Sequence, residues 1–149
     1  MSAQVLETFN GMPVRYLETR ADLAEAARGW LDCAAVALDT EFMRVRTFHA
    51  QAALFQVCDG RGCFLVDPLA IDDLQPLGEL LAAPHVTKIM HSCSEDLEVC
   101  ERRLGALPEP LVDTQVVAAF SGHPLSVGYQ KILAAELGVQ LHKSETRTD

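Results

Sequence analysis

The stretch Val36-Ala37-Leu38-Asp39-Thr40-Glu41-Phe42 decides the fold, because it reads as a buried strand that ends in acid. Side chains alternate faces along a strand, so Val36, Leu38 and Thr40 share one face and Ala37, Asp39 and Glu41 share the other. By strand rise alone, Asp39 and Glu41 stand roughly 6–7 Å apart. Two like charges so placed repel each other and resist burial. The pair fits a solvated strand end, and it equally fits a site where a cation neutralises it. A hydrated Mg²⁺ needs only one or two carboxylates.

Outward from this strand, the pattern is that of an α/β domain. Downstream, Arg44 and Arg46 share a face if the chain stays extended, as a phosphate contact or as an ordinary charged edge. Apolar runs at 53–58 and 63–67 are joined by Asp59-Gly60-Arg61-Gly62, a hairpin signal. With the acidic strand they predict three consecutive antiparallel strands. Leu74, Leu77, Leu80 and Leu81 mark a short helix ended by Pro84. A strand over 86–91 then runs into Ser92-Cys93-Ser94-Glu95-Asp96-Leu97, where Ser92 and Glu95 are spaced for a capping box and Ser94 is an alternative cap. Asp96 thus falls in the first turn of a helix that directly follows a strand. Acids favour that position for macrodipole reasons alone, yet such junctions are also where α/β sheets build sites. Leu111 and Val112 form a very short strand before Asp113, which caps a helix carrying Val116, Val117 and Phe120. Ser126 caps a last helix with Tyr129, Ile132, Leu133 and Leu137, closed by Gly138. Upstream, a strand over 14–17 precedes a helix capped by Thr19, with Leu23, Ala26, Ala27 and Trp30 facing the core.

With 149 residues, 49% of them apolar, the chain reads as one globular domain over 1–149. No apolar run approaches the ~18 residues of a membrane span. Met1-Ser2-Ala3-Gln4 lacks the basic and apolar regions of a secretory signal, so a cytoplasmic location without membrane association is expected. The five cysteines are scattered, with no C-x-x-C, and read as reduced, mostly buried thiols. A formal charge of −9 argues against a self-sufficient, nonspecific nucleic-acid binder. It does not exclude a nuclease, whose centre is itself acidic until metal binds.

If Asp39, Glu41 and Asp96 converge, three carboxylates without cysteine or paired histidines select Mg²⁺ or Mn²⁺ over zinc. Two such ions ~3.5–4 Å apart suit in-line displacement at phosphorus. Spacing alone does not establish the convergence.

Asp39-Thr40-Glu41-Phe42-Met43-Arg44 and His91-Ser92-Cys93-Ser94-Glu95-Asp96-Leu97-Glu98 resemble the first and second motifs of ribonuclease D, in the DEDD superfamily of 3′–5′ exonucleases. The resemblance extends in order through residues 51–56, Leu65-Val66-Asp67-Pro68-Leu69, Leu111-Val112-Asp113-Thr114-Gln115 and the terminal Lys143-Ser144-Glu145-Thr146-Arg147-Thr148-Asp149. It implies a ribonuclease H-like (DnaQ-like) mixed sheet with three antiparallel strands first, flanked by helices. It implies hydrolysis of RNA from a free 3′ end, releasing nucleoside monophosphates, as in trimming of tRNA precursors. By motif position, Asp39, Glu41 and Asp96 are the implied catalytic and metal-binding acids. Thr40 and Phe42 flank the terminal nucleotide, and His91 lies near that pocket.

There are two departures. Ala50 stands where the family has proline, and the family's third motif, a tyrosine followed four residues later by an aspartate, is absent from these 149 residues. Tyr129 does not replace it, having Leu133 four residues on. The expectation is a partial exonuclease domain that is inactive on its own. A non-catalytic RNA-binding or interaction module on the same fold is the alternative. A receiver-like phosphotransfer domain would need an all-parallel sheet, which the 59–62 hairpin contradicts. Oligomeric state is left open.

Overall fold

The computed structural model describes residues 3–9, 11–44 and 49–140. In chain order the elements are β1 (Val5–Phe9), β2 (Met12–Leu17), α1 (Arg20–Trp30), β3 (Ala35–Met43), β4 (Gln51–Cys58), β5 (Cys63–Val66), α2 (Gln75–Ala82), β6 (Thr87–Met90), α3 (Ser94–Leu104), β7 (Leu111–Asp113), α4 (Thr114–Phe120) and α5 (Tyr129–Leu137). They form one seven-stranded mixed sheet in the order β1-β2-β5-β4-β3-β6-β7. The acidic strand β3 is interior, antiparallel to β4 and parallel to β6. The expected meander β3–β4–β5 is antiparallel throughout. Two strands precede it: β2 joins β5 in parallel, and β1 pairs with β2 at the sheet edge. The sequence reading had no β1, because Val5-Leu6-Glu7-Thr8-Phe9 shows no alternation of apolar and polar residues, and Val5 and Leu6 stay exposed at the edge.

Burial alternates along β3, with Val36, Leu38 and Thr40 inside and Ala37, Asp39 and Glu41 outside or partly exposed. Helices α1, α2 and α3 cover the inner face. Trp30, on α1, is fully buried and meets Phe64 of β5 edge-on, with ring centroids 5.4 Å apart. Thr19 caps α1 as expected, accepting from the Asp22 amide at 3.2 Å. Lys88, also fully buried, donates its amine to the carbonyls of Ala83 (2.6 Å) and Glu109 (3.0 Å). Burial lowers the pKa of that amine.

The β4–β5 hairpin turns at 59–62. Asp59 Oδ1 accepts from the amides of Arg61 and Gly62, both at 2.9 Å, while Gly60 takes a φ of +87° that few L side chains adopt. Here the expectation of five reduced thiols fails. Cys58 and Cys63 are register partners at the base of the hairpin and form a disulfide, with Cα atoms 4.3 Å apart. Cross-strand neighbours of this kind come within bonding range without any C-x-x-C spacing. Cys33, Cys93 and Cys100 are free.

Two caps also differ from expectation. Helix α3 has Cys93 at its N-cap and no side-chain capping bond, so neither Ser92 nor Ser94 serves. Helix α5 starts at Tyr129 after Gly128, three residues beyond Ser126, because a turn from Pro124 to Val127 intervenes. Gly138 closes α5 in a left-handed conformation as expected. Arg46 and residues 141–149 lie outside the described residues. Among the described residues, no helix is long and apolar enough to cross a membrane.

Candidate functional site

An interior strand whose outer face carries acids creates the site. Register sets Asp39 of β3 opposite Gln56 of β4, and Ala37 opposite Cys58. Period-two alternation brings all four side chains to the outer face. A cleft of about 480 Å³ opens there, lined by Asp39, Gln56, Cys58, His91, Thr114 and Tyr129 among others. Glu41 stands exposed one step further along the face of Asp39. Between Glu41 and Phe42 the β3–β4 register shifts, a bulge of the kind that re-aims side chains at strand ends. Phe42 is partly buried against the core.

Asp96 comes to the same strand from the other side. It lies in the first turn of α3, is 7% exposed, and accepts a hydrogen bond at Oδ1 from the Thr40 hydroxyl. Thr40 points inward, so Asp39 and Glu41 occupy the outer face of β3 and Asp96 is anchored on the inner one. Among the described residues, no group of three or more His, Cys, Asp or Glu side chains is arranged to hold a metal ion. The acids therefore flank one strand end from two faces without forming a closed ligand set. Their chemistry fits a hard, hydrated cation, since carboxylate oxygens are the donors such ions take. The Thr40 side chain is committed to Asp96.

His91 follows β6 and is held at both ring nitrogens. Nε2 donates to the Val127 carbonyl at 3.0 Å, Nδ1 lies 2.8 Å from the Thr114 hydroxyl, and the ring meets Tyr129 with centroids 5.5 Å apart. A histidine so engaged is fixed in orientation and shapes the cleft wall. Beyond the end of β3, Arg44 reaches Glu98 at 3.2 Å and Glu95 at 3.6 Å. Hydrogen bonding from Arg44, with His49 adding to it, holds the Glu98 carboxyl below its ordinary pKa.

Sequence reasoning missed the role of Asp113. It does cap α4, accepting from the Gln115 amide at 2.8 Å, and the same carboxylate also spans to the start of α3. Oδ1 accepts from the Ser92 amide at 2.9 Å, and Oδ2 from the Cys93 amide at 3.1 Å and the Cys93 thiol at 3.2 Å. Burial pushes the Asp113 carboxyl up, and the bonds from Cys93, Ser92 and Gln115 outweigh it, so its pKa falls below the ordinary 3.8. Gln56, within the 51–56 segment, has no role legible from the sequence. Only the strand register, not the sequence spacing, reveals that it faces Asp39.

Residues 14–149 match the family model of the 3′–5′ exonuclease domain. Ribonuclease D of Pseudomonas paraeruginosa is 48% identical over 136 residues, which cover 91% of this chain and 36% of the relative. The crystal structure of Escherichia coli ribonuclease D, described as an exoribonuclease involved in structured RNA processing, superposes with a TM-score of 0.88 at 45% identity, covering 93% of this chain and 37% of that one. Ribonuclease D of Trypanosoma brucei, solved in complex with RNA U12, shares the fold with a TM-score of 0.75 at 24% identity, covering 86% of this chain and 48% of that one. The chain thus spans little more than a third of the length of the bacterial relatives it matches.

Proposed function

We propose, for a chain that belongs to the 3′–5′ exonuclease family, that the whole protein is an exoribonuclease hydrolysing RNA from its 3′ end to nucleoside monophosphates. Precursors of tRNA are the substrate class we favour. The single observation that carries this reading is the pair Asp39 and Glu41, set on one outer face of the interior strand beside an open cleft. An exposed acidic pair has no packing role, and the 48% identity to a ribonuclease D supports the same chemistry.

Asp39 and Glu41 would hold Mg²⁺ or Mn²⁺, with Asp96, anchored on the other face of the same strand, assisting through water. Two such ions supply an activated water and neutralise charge on the attacking and leaving oxygens at phosphorus. The chain's own residues do the rest. Thr40 fixes Asp96 by its hydroxyl. Phe42, past the bulge, offers a ring edge against a base. His91, locked between Val127 and Thr114, holds the floor of the cleft in place. Residues 1–149 would then form part of one exonuclease domain, and this span alone would have little or no activity, lacking the tyrosine and aspartate of the third motif.

The test is degradation of a 3′-extended RNA by the full-length protein with Mg²⁺, Mn²⁺ or EDTA, beside the 149-residue span. Metal-dependent release of mononucleotides by the full-length protein, abolished by Asp39→Asn, is the expected result. RNA binding without turnover would replace this reading with that of a non-catalytic module.

A further inference from the structure

We propose that Asp113 is a positioning residue for the reaction: from β7 it fixes the β6–α3 turn and so sets where Asp96 stands beneath the acidic strand. The inference rests on the nuclease reading for its consequence, but its geometry is independent of it. One carboxylate takes four hydrogen bonds, from the amides of Ser92, Cys93 and Gln115 and the thiol of Cys93. Three of these end on the two residues that lead into α3. Ser92 there has a φ of +52°, a left-handed backbone that a serine rarely adopts unaided. Cys93 is the N-cap of α3, and its carbonyl accepts the Leu97 amide at 2.9 Å, closing the turn that contains Asp96.

The helix start has no side-chain capping bond of its own. Asp113 supplies the acceptor from a neighbouring strand instead, and this changes what the cap does. A local serine cap would stabilise α3 wherever the helix happened to lie. A cap borrowed from β7 ties the first turn to the sheet, because β7 is hydrogen-bonded in register to β6, with Met90 opposite Asp113. The inner end of Asp96 is then held from two directions: by Thr40 of β3 at its carboxylate, and by Asp113 through the backbone of Cys93. Asp113 itself points at the turn and is not among the residues that line the cleft.

Groups that orient a metal-binding side chain change metal affinity or rate by about 10–100-fold when removed. Asp113→Asn keeps the shape but replaces one acceptor oxygen with a donor that opposes the Cys93 amide. In the full-length protein we expect the Mn²⁺ activation midpoint to rise and kcat on a 3′-hydroxyl RNA to fall within that range, with KM little changed. The effect should vanish in an Asp96→Asn background, because nothing remains to position. Ser92→Gly, which relieves the left-handed residue, should restore part of the loss. A merely structural role would lower stability and the active fraction alone, leaving the Mn²⁺ midpoint unmoved and adding to Asp96→Asn; the loss of stability is common to both roles.

Amide hydrogen exchange of the metal-free protein gives a readout that needs no activity. Asp113→Asn should speed exchange at Leu97 in the first turn of α3 while leaving β3 and β4 protected. Inactivity of the unsubstituted protein would overturn the nuclease reading alone. An unchanged Leu97 exchange rate, or an unmoved Mn²⁺ midpoint in an active parent, would overturn the positioning role.

Discussion

The hydroxyl of Thr40, on the helix-covered face of the acidic strand, donates to Oδ1 of Asp96 in the first turn of α3. Both side chains are buried, so the bond ties a sheet to a helix where water cannot substitute freely. Thr40→Val keeps the volume but strands a buried carboxylate oxygen, which costs about 1–3 kcal/mol. Urea denaturation should show that loss, and Thr40→Ser should recover most of it. The nuclease rate of the full-length protein should fall more for Val than for Ser.

Asp39 makes the opposite case. Its side chain is exposed on the outer face, and exposed substitutions typically move stability by no more than about 0.5 kcal/mol. In the full-length protein Asp39→Asn should therefore leave the thermal midpoint nearly unchanged while abolishing RNA hydrolysis. A matching loss of Tm would point to a folding role instead.

How much of this was legible in the sequence follows from which interactions are local. Val36, Leu38 and Thr40 alternate with Asp39 and Glu41, so the strand and its two faces could be read directly. The 59–62 turn announces its hairpin through Asp59 and Gly60, whose chemistry is local too. Thr19 caps the helix that it immediately precedes. The contacts that escaped are those between residues far apart in sequence. Asp113 bonds Ser92 and Cys93 across some 20 positions, Thr40 meets Asp96 across 56, and the placement of Gln56 opposite Asp39 exists only once β3 and β4 are in register. Cys58 and Cys63 are near in sequence, yet their spacing of 5 signals nothing until the hairpin makes them cross-strand neighbours.

Trp30 tests the core. It is the sole tryptophan, fully buried against Phe64, and its indole N–H has no hydrogen-bond partner among the described residues. Trp30→Ala should cost about 3–5 kcal/mol through the cavity it leaves. Trp30→Phe loses ring volume but also removes an unpaired donor, so its cost should be well below that of alanine. Denaturant titrations followed by far-UV circular dichroism distinguish the two.

The cysteines give a chemical prediction. Cys93 and Cys100 are buried, and burial, aided at Cys93 by the hydrogen bond to Asp113, pushes both thiols up to about 12. At neutral pH they carry almost no thiolate, the reactive form. In the folded protein only Cys33 should react readily with a maleimide. In urea without reductant all three free thiols should react, and Cys58 and Cys63 only after a dithiol is added. Five reactive thiols in unreduced urea would contradict the disulfide.

Asp113 also sets an acid limit. Its carboxyl is held below the ordinary 3.8 because the bonds from Cys93, Ser92 and Gln115 outweigh the effect of burial. The unfolded chain therefore takes up this proton at a higher pH than the folded one. The resulting stability is fully present above pH 3.8, where the group is ionised in both states. It is lost as pH falls from there through the lower, folded value. Between pH 6 and 5 Asp113 contributes no slope; below about pH 4 it adds to the decline. Asp113→Asn, which cannot ionise, should lower stability at pH 6 and flatten the fall below pH 4. Urea midpoints measured across that range for both proteins should converge toward the acid end. Parallel curves would mean that the charge on Asp113 does not hold the β6–α3 turn.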